Sequence, residues 1–221
     1  MSRIALFGGS FNPIHNGHLH LAQTVHQQCG LDRMLLMPSG TAPHKSSDAY
    51  APAADRLAMC RLATESNPAF DVAMCRLAAE PYPWLEVSDY ELTKPGKSYT
   101  VETLRYLHSR FPEDALFLLT GSDMLLSFDS WYCWQEILTL AGLLCVSRGT
   151  EPEDVLRQKA AELSSYGQVT VVHAKPLPMS SSQIRHKIEL CRKFSCYLPE
   201  NVVQYIMLHG LYGVCNGESI V

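Results

Sequence analysis

No stretch of the 221 residues reaches the roughly 18 consecutive apolar positions that a membrane span needs. Nothing near Met1 combines the basic, apolar and small-residue regions of a secretory signal. These absences predict a soluble, cytoplasmic protein. Long basic runs are missing too, none exceeding Arg192-Lys193, and 18 Lys and Arg against 22 Asp and Glu leave a net charge of −4. No nucleic-acid surface is therefore expected, although a small anionic substrate remains compatible with a few well-placed donors. The eight cysteines, at 29, 60, 75, 133, 145, 191, 196 and 215, include no C-x-x-C pair. Most sit inside apolar patterns and read as reduced thiols, not as a disulfide frame.

What the chain does have is apolar residue in quantity, 47% of the total, enough for one sizeable core. Apolar runs at Ile4–Phe7, Arg33–Met37, Ala115–Thr120, Gly142–Ser147 and Val169–His173 read as strands, with helical patterns between them. Strand, helix, strand over about thirty-five residues is a βαβ unit. The expected fold is α/β, a Rossmann-like, doubly wound and mostly parallel sheet with helices on both faces. Residues 1–212 are expected to form one domain, and 213–221 a flexible tail. Inside the domain the sequence repeats itself: AMCRLATESNPAFDV at 58–72 and AMCRLAAEPYPWLEV at 73–87 agree at nine of fifteen positions. One copy alone would connect the flanking segments, so a tandem duplication is expected to form an excursion between Ala58 and Val87, away from the first glycine turn. Lengthening a loop costs only about 0.6 kcal/mol per doubling.

The stretch that organises the chain is Arg3 to His18, RIALFGGSFNPIHNGH. A buried strand enters a turn at Gly8-Gly9-Ser10-Phe11, and a helix opens after Gly17. Strand, glycine turn and helix start aim main-chain N–H groups at one spot, which favours an anion. His15 and His18 stand in the same loop, where imidazoles can donate to phosphate oxygens. Singly, either histidine would read as a cap or a packed side chain. A zinc pair is disfavoured, since no third ligand stands at suitable spacing.

GGSFNPIHNGH resembles the signature loop of the adenylyltransferases of the nucleotidyltransferase superfamily. Other segments then match in order, and the resemblance spans residues 3 to 212. PHK at 43–45 places His44 and Lys45 at the carboxyl end of a strand, where open α/β sheets bind ligands, although alone it would be a solvated turn. SYT at 98–100 reads as a helix start, capped by Ser98 or Thr100. Gly121 and Asp123 follow the third strand run, and Asp123 suits either a ribose hydroxyl, a magnesium-bound water or a helix cap. Trp131 and Tyr132 are adjacent, so on a helix they would point about 100° apart, one toward a cleft. Ser180, Ser181, Ser182 and Arg185 lie in MSSSQIR, where Ser180 and Gln183 form a capping box and Arg185 can reach phosphate.

His44, Lys45, Thr100 and the Trp131-Tyr132 pair resemble the nicotinate-mononucleotide adenylyltransferase branch. The resemblance implies AMP transfer from ATP to nicotinate mononucleotide, giving deamido-NAD and pyrophosphate. It implies His15, His18 and Arg185 as catalytic residues. ATP contacts would come from Gly8, Gly9, Ser10, Phe11, Gly121, Asp123 and Ser180–Ser182, and acceptor contacts from His44, Lys45, Thr100, Trp131 and Tyr132. Mg2+ would arrive with ATP, without a resident metal. A monomer or homodimer acting on small molecules is expected, with no membrane or nucleic-acid partner. Two alternatives stay open: another acceptor, such as nicotinamide mononucleotide or phosphopantetheine, or a nucleotide-binding protein without catalysis.

Overall fold

The computed structural model describes residues 1–40, 50–65, 82–147, 151–175 and 177–214. His44, Lys45, residues 66–81 of the repeat and the tail beyond Val214 lie outside them.

In chain order come β1 (Arg3–Gly9), α1 (Asn16–Cys29), β2 (Arg33–Pro38), α2 (Ala53–Thr64), β3 (Leu85–Val87), α3 (Tyr90–Thr93), α4 (Thr100–Arg110), β4 (Ala115–Gly121), α5 (Ser122–Leu126), α6 (Trp134–Leu140), β5 (Gly142–Ser147), α7 (Glu153–Leu163), β6 (Val169–His173), α8 (Ser181–Glu189) and α9 (Glu200–Leu208). The six strands form one sheet in the order β3-β2-β1-β4-β5-β6, with every neighbouring pair parallel. The expected Rossmann-like, doubly wound architecture is therefore present. Strand order reverses between β1 and β4, and in open sheets of this kind ligands bind outside the carboxyl ends at that reversal.

Period-two alternation sends successive side chains to opposite faces. Ala5 and Phe7 of β1, Met34 and Leu36 of β2 and Phe117 and Leu119 of β4 pack on one face. There they meet Val25 of α1, Met59 of α2, Ile184 of α8 and Val202 of α9. Ile4 and Leu6, Leu35 and Met37, and Leu116 and Leu118 meet Leu104 of α4, Ile137 of α6 and Leu156 of α7 on the other. A strand buried on both faces reads as an unbroken apolar run, which is why those runs were visible in the sequence.

Helix α1 ends on Gly30 at φ 55°, the left-handed conformation a glycine cap adopts. Edge strand β3 is pinned by a two-pronged pair, in which Arg33 Nε and Nη2 donate to the two oxygens of Glu86, both at 2.7 Å. Residues 58–64, which open the first repeat copy, lie in α2, and 85–87, which close the second, form β3. Cys29, Cys60, Cys133, Cys145 and Cys196 are free thiols. Cys191 is disulfide-bonded, a departure from the expectation of reduced cysteines. Among the described residues no helix is long and apolar enough to cross a membrane.

Glu91 of α3 is 9% exposed, and its Oε1 accepts a 2.8 Å hydrogen bond from Thr103 Oγ1, tying α3 to α4. Burial raises this carboxyl above its ordinary value of 4.5, against the opposing influence of Thr103 and Lys94. A raised folded pKa means that folding favours the protonated form. Glu91 thus contributes most below pH 4.5, and the contribution is lost as pH climbs through the folded value. Glu91→Gln keeps the acceptor for Thr103 without an ionisable group. Thermal unfolding followed from pH 4 to 8 is expected to fall less steeply with rising pH in the variant than in the parent, and parallel profiles would remove Glu91 as the cause.

Candidate active site

The loop after β1 folds back on itself. Phe11 adopts φ 44° and is 2% exposed. A Cβ at Gly9 would stand 2.9 Å from Phe11 Cζ, so only glycine admits this ring. Phe11 packs edge-on against Phe7, centroids 5.4 Å apart, and against His18 at 5.1 Å. Its side chain supports His18 from beneath and leaves only main chain for a ligand. The Asn12–Pro13 peptide is cis.

His15 caps α1 and His18 occupies the third helical position. The two imidazoles stack with centroids 3.7 Å apart and planes inclined by 21°. The His15 main-chain N–H donates to His18 Nδ1 at 3.2 Å. An accepting Nδ1 carries no proton, so this bond assigns the His18 proton to Nε2, which becomes a donor with fixed direction. Gly17 between them has a steric reason. A Cβ there would come within 3.0 Å of His15 Nδ1 and 3.2 Å of Met179 Cγ.

Helix α8 brings its N-terminus to this loop. Ser180 Oγ accepts from the Gln183 main-chain N–H at 3.2 Å, the expected cap. Ser181 Oγ donates to the Pro13 carbonyl at 2.9 Å. Arg185 Nη1 donates to the Asn12 carbonyl at 2.7 Å and Nη2 to Ser182 Oγ at 3.3 Å. A guanidinium has five N–H groups, so these bonds orient Arg185 without exhausting it. Asn12 itself is 2% exposed. Its Oδ1 accepts from the Ala51 main-chain N–H at 2.9 Å and from the Tyr212 hydroxyl at 2.8 Å. Burial holds the Tyr212 phenol well above its ordinary value, so it stays a donor. Asn12 and Tyr212 were not among the site residues expected from the sequence.

Across the strand-order reversal, Gly121 ends β4 and Asp123 sits exposed on α5. Asp123 does not cap α5, since Gly121 holds that position. Instead its carboxylate folds over Gly121, where a Cβ would meet Oδ1 at 2.6 Å. Ser122 between them is buried and donates to Glu151.

The aromatic pair departs from expectation. Trp131 and Tyr132 are not on a helix, because a short 3₁₀ turn ends at Ser130 and α6 starts only at Trp134. Trp131 packs inward on Phe128, centroids 5.2 Å apart, while Tyr132 is 60% exposed. Tyr132 lies 5.0 Å from Tyr99, the residue that precedes Thr100 at the start of α4. Arg105 of α4 and Glu136 of α6, paired through two 2.6 Å bonds, hold those helices together. An open cavity of about 320 Å³ flanks α8 between Gln183, His186, Lys187, Arg192 and Tyr197, and is not lined by His15 or His18. Among the described residues no group of three His, Cys, Asp or Glu side chains stands close enough to hold a metal ion.

The model of the cytidylyltransferase-like family matches residues 6–187. That match, the sheet order and the paired imidazoles define the class: this is a nucleotidyltransferase. A probable nicotinate-nucleotide adenylyltransferase from Geobacter sulfurreducens is 34% identical over 227 residues, covering 95% of this chain and 98% of the relative. One from Neisseria meningitidis serogroup C is 34% identical over 96% of this chain and 99% of its own. The nicotinic acid mononucleotide adenylyltransferase of Plasmodium falciparum, solved as a complex with NaAD, shares the fold with a TM-score of 0.74 at 16% identity, covering 98% of this chain and 100% of that one. The chain belongs to the nicotinate-nucleotide adenylyltransferase family and is an adenylyltransferase.

Gly17→Ala separates stability from chemistry. In a helix alanine is favoured over glycine by about 1 kcal/mol, yet here its methyl would push the His15 ring. The melting temperature is expected to hold or rise while adenylyl transfer falls about tenfold or more. Full activity would mean that the imidazole position is immaterial.

Proposed function

We propose that the chain transfers the adenylyl group of ATP to nicotinate mononucleotide, forming deamido-NAD and pyrophosphate in NAD biosynthesis. The observation that carries the reading is the convergence, on the loop after β1, of a direction-fixed His18 and the capped start of α8. A 5′-phosphate has a second pKa near 6 and is largely ionised at neutral pH, so no strong base is required. One of its oxygens attacks the α-phosphorus, the bond to the bridging oxygen breaks, and pyrophosphate leaves with that electron pair. His18 Nε2 donates to a non-bridging α-oxygen, with His15 beside it. Arg185 and the N–H groups opening α8 receive the charge that grows on pyrophosphate. Mg2+ arrives bound to ATP, and Asp123 is assigned to the ATP side of the cleft.

For the acceptor, the Tyr99 and Tyr132 rings beside the start of α4 support a cationic pyridine. An aromatic face attracts such a cation by about 0.5–2 kcal/mol. N–H groups at the helix start near Thr100 suit its carboxylate. His44 and Lys45 are assigned to the acceptor phosphate. The names of the relatives point the same way. Residues 1–212 are proposed as the single catalytic domain.

His18→Ala is expected to lower kcat by about 10²–10³, the effect of losing one transition-state donor. Pyrophosphate release with ATP and each of nicotinate mononucleotide, nicotinamide mononucleotide and phosphopantetheine tests the acceptor. Preference for either of the latter two would replace the assignment. Tyr132→Ala is expected to raise KM for nicotinate mononucleotide by about 2- to 30-fold with KM for ATP unchanged.

A further inference from the structure

Arg56, on α2, belongs to none of the segments assigned above, and it is only 4% exposed. Its Nη1 donates to two carbonyls, Ser10 at 2.8 Å and Ser39 at 2.9 Å, and its Nε to Ala51 at 3.3 Å. The Tyr50 ring lies 5.7 Å from the guanidinium carbon. Among the described residues no carboxylate stands within ion-pairing distance of it. Burial lowers its pKa, yet a guanidinium stays protonated at any working pH. Among the described residues this buried cation is answered by carbonyl dipoles and one ring face, an arrangement that costs the fold stability. Its placement therefore asks for a function.

Ser10 follows β1 and Ser39 follows β2, and the two strands are paired up to Gly9 and Pro38. One nitrogen thus bridges the chain at the point where both strand ends leave the sheet. In a trans peptide the C=O and the next N–H point in opposite directions. Drawing the Ser10 carbonyl toward Arg56 turns the Phe11 N–H away from it. The same holds for Ser39 and the Gly40 N–H. The two carbonyl oxygens, which would repel an anion, are engaged by Arg56, and the N–H groups that follow them point away from it.

We propose that Arg56 is a positioning residue for the polyphosphate of ATP: it aims the main-chain N–H groups beyond β1 and β2 at the bound anion, and its charge beneath them is answered when that anion arrives. The assignment rests on the reading of ATP as donor and adds to it a residue that touches no substrate. Lysine at this position keeps the charge but lacks the second nitrogen, the Nε that bonds the Ala51 carbonyl and so fixes the direction of Nη1 toward Ser10 and Ser39.

The test compares the parent protein with Arg56→Lys, Arg56→Gln and Arg61→Lys, the last a control on an exposed residue of the same helix paired with Asp89. Calorimetry measures binding of α,β-methylene-ATP, thermal unfolding reports folding, and steady-state kinetics give KM for each substrate. Arg56→Lys is expected to stay folded, to bind the analogue about tenfold or more weakly, and to keep KM for the mononucleotide within about twofold. Arg56→Gln is expected to lose more, and Arg61→Lys nothing. Parent-like analogue affinity in a folded Arg56→Lys overturns the proposal, as does equal loss for both substrates. So does a parent protein that does not bind the analogue. A parent that binds the analogue but releases no pyrophosphate with nicotinate mononucleotide refutes the acceptor, while the order of analogue affinities still decides Arg56.

Discussion

The side chain and carbonyl of Asn12 join four segments that are far apart in sequence. Its carbonyl accepts from Arg185, and its Oδ1 accepts from Ala51 and from Tyr212. A buried amide oxygen with two donors is fully satisfied, and removing either would leave a desolvated acceptor short of a partner. The loop between β1 and α1 is thereby held from α8, from the approach to α2 and from the last described turn. The imidazole stack and the exit of the chain from the sheet hang on this loop.

The charges around the site are arranged sparingly. Two arginines, 56 and 185, spend donors on main-chain carbonyls, which fixes their planes before any substrate arrives. The His18 donor direction is fixed by another main-chain group, the His15 N–H. A site whose donors are oriented by backbone has little to reorganise when charge moves from attacking to leaving oxygen, and such preorganisation is where enzymes of this kind gain most of their rate. The small net charge of −4 is consistent with local donors doing this without a basic surface.

How much of this the sequence revealed depended on the reach of each interaction. Gly142–Ser147 was legible to the residue because both faces of that strand are buried, and Val169–His173, half-buried at the sheet edge, because its β-branched run is long enough to show. The three residues of β3, with Glu86 exposed at its centre, carry too short a pattern to be read. The cap at Ser180 and the His-x-Gly-His spacing are local, spanning three residues, and were readable as such. The Trp131-Tyr132 rings diverge as expected, but not on a helix, since a 3₁₀ turn and a left-handed Cys133 precede α6 and no helical periodicity applies there. The roles of Arg56, Asn12 and Tyr212 were not legible because their contacts form in the fold. Arg56 bonds a residue 46 positions away, and Asn12 one 200 positions away.

The bond from Tyr212 to Asn12 orders events during synthesis on the ribosome. The βαβ units can dock one after another as they emerge, since each strand finds its neighbour in the growing sheet. Asn12 Oδ1 obtains its second donor only after some two hundred further residues have been added. A nascent chain can therefore hold most of its sheet while the loop after β1 still lacks one of its braces.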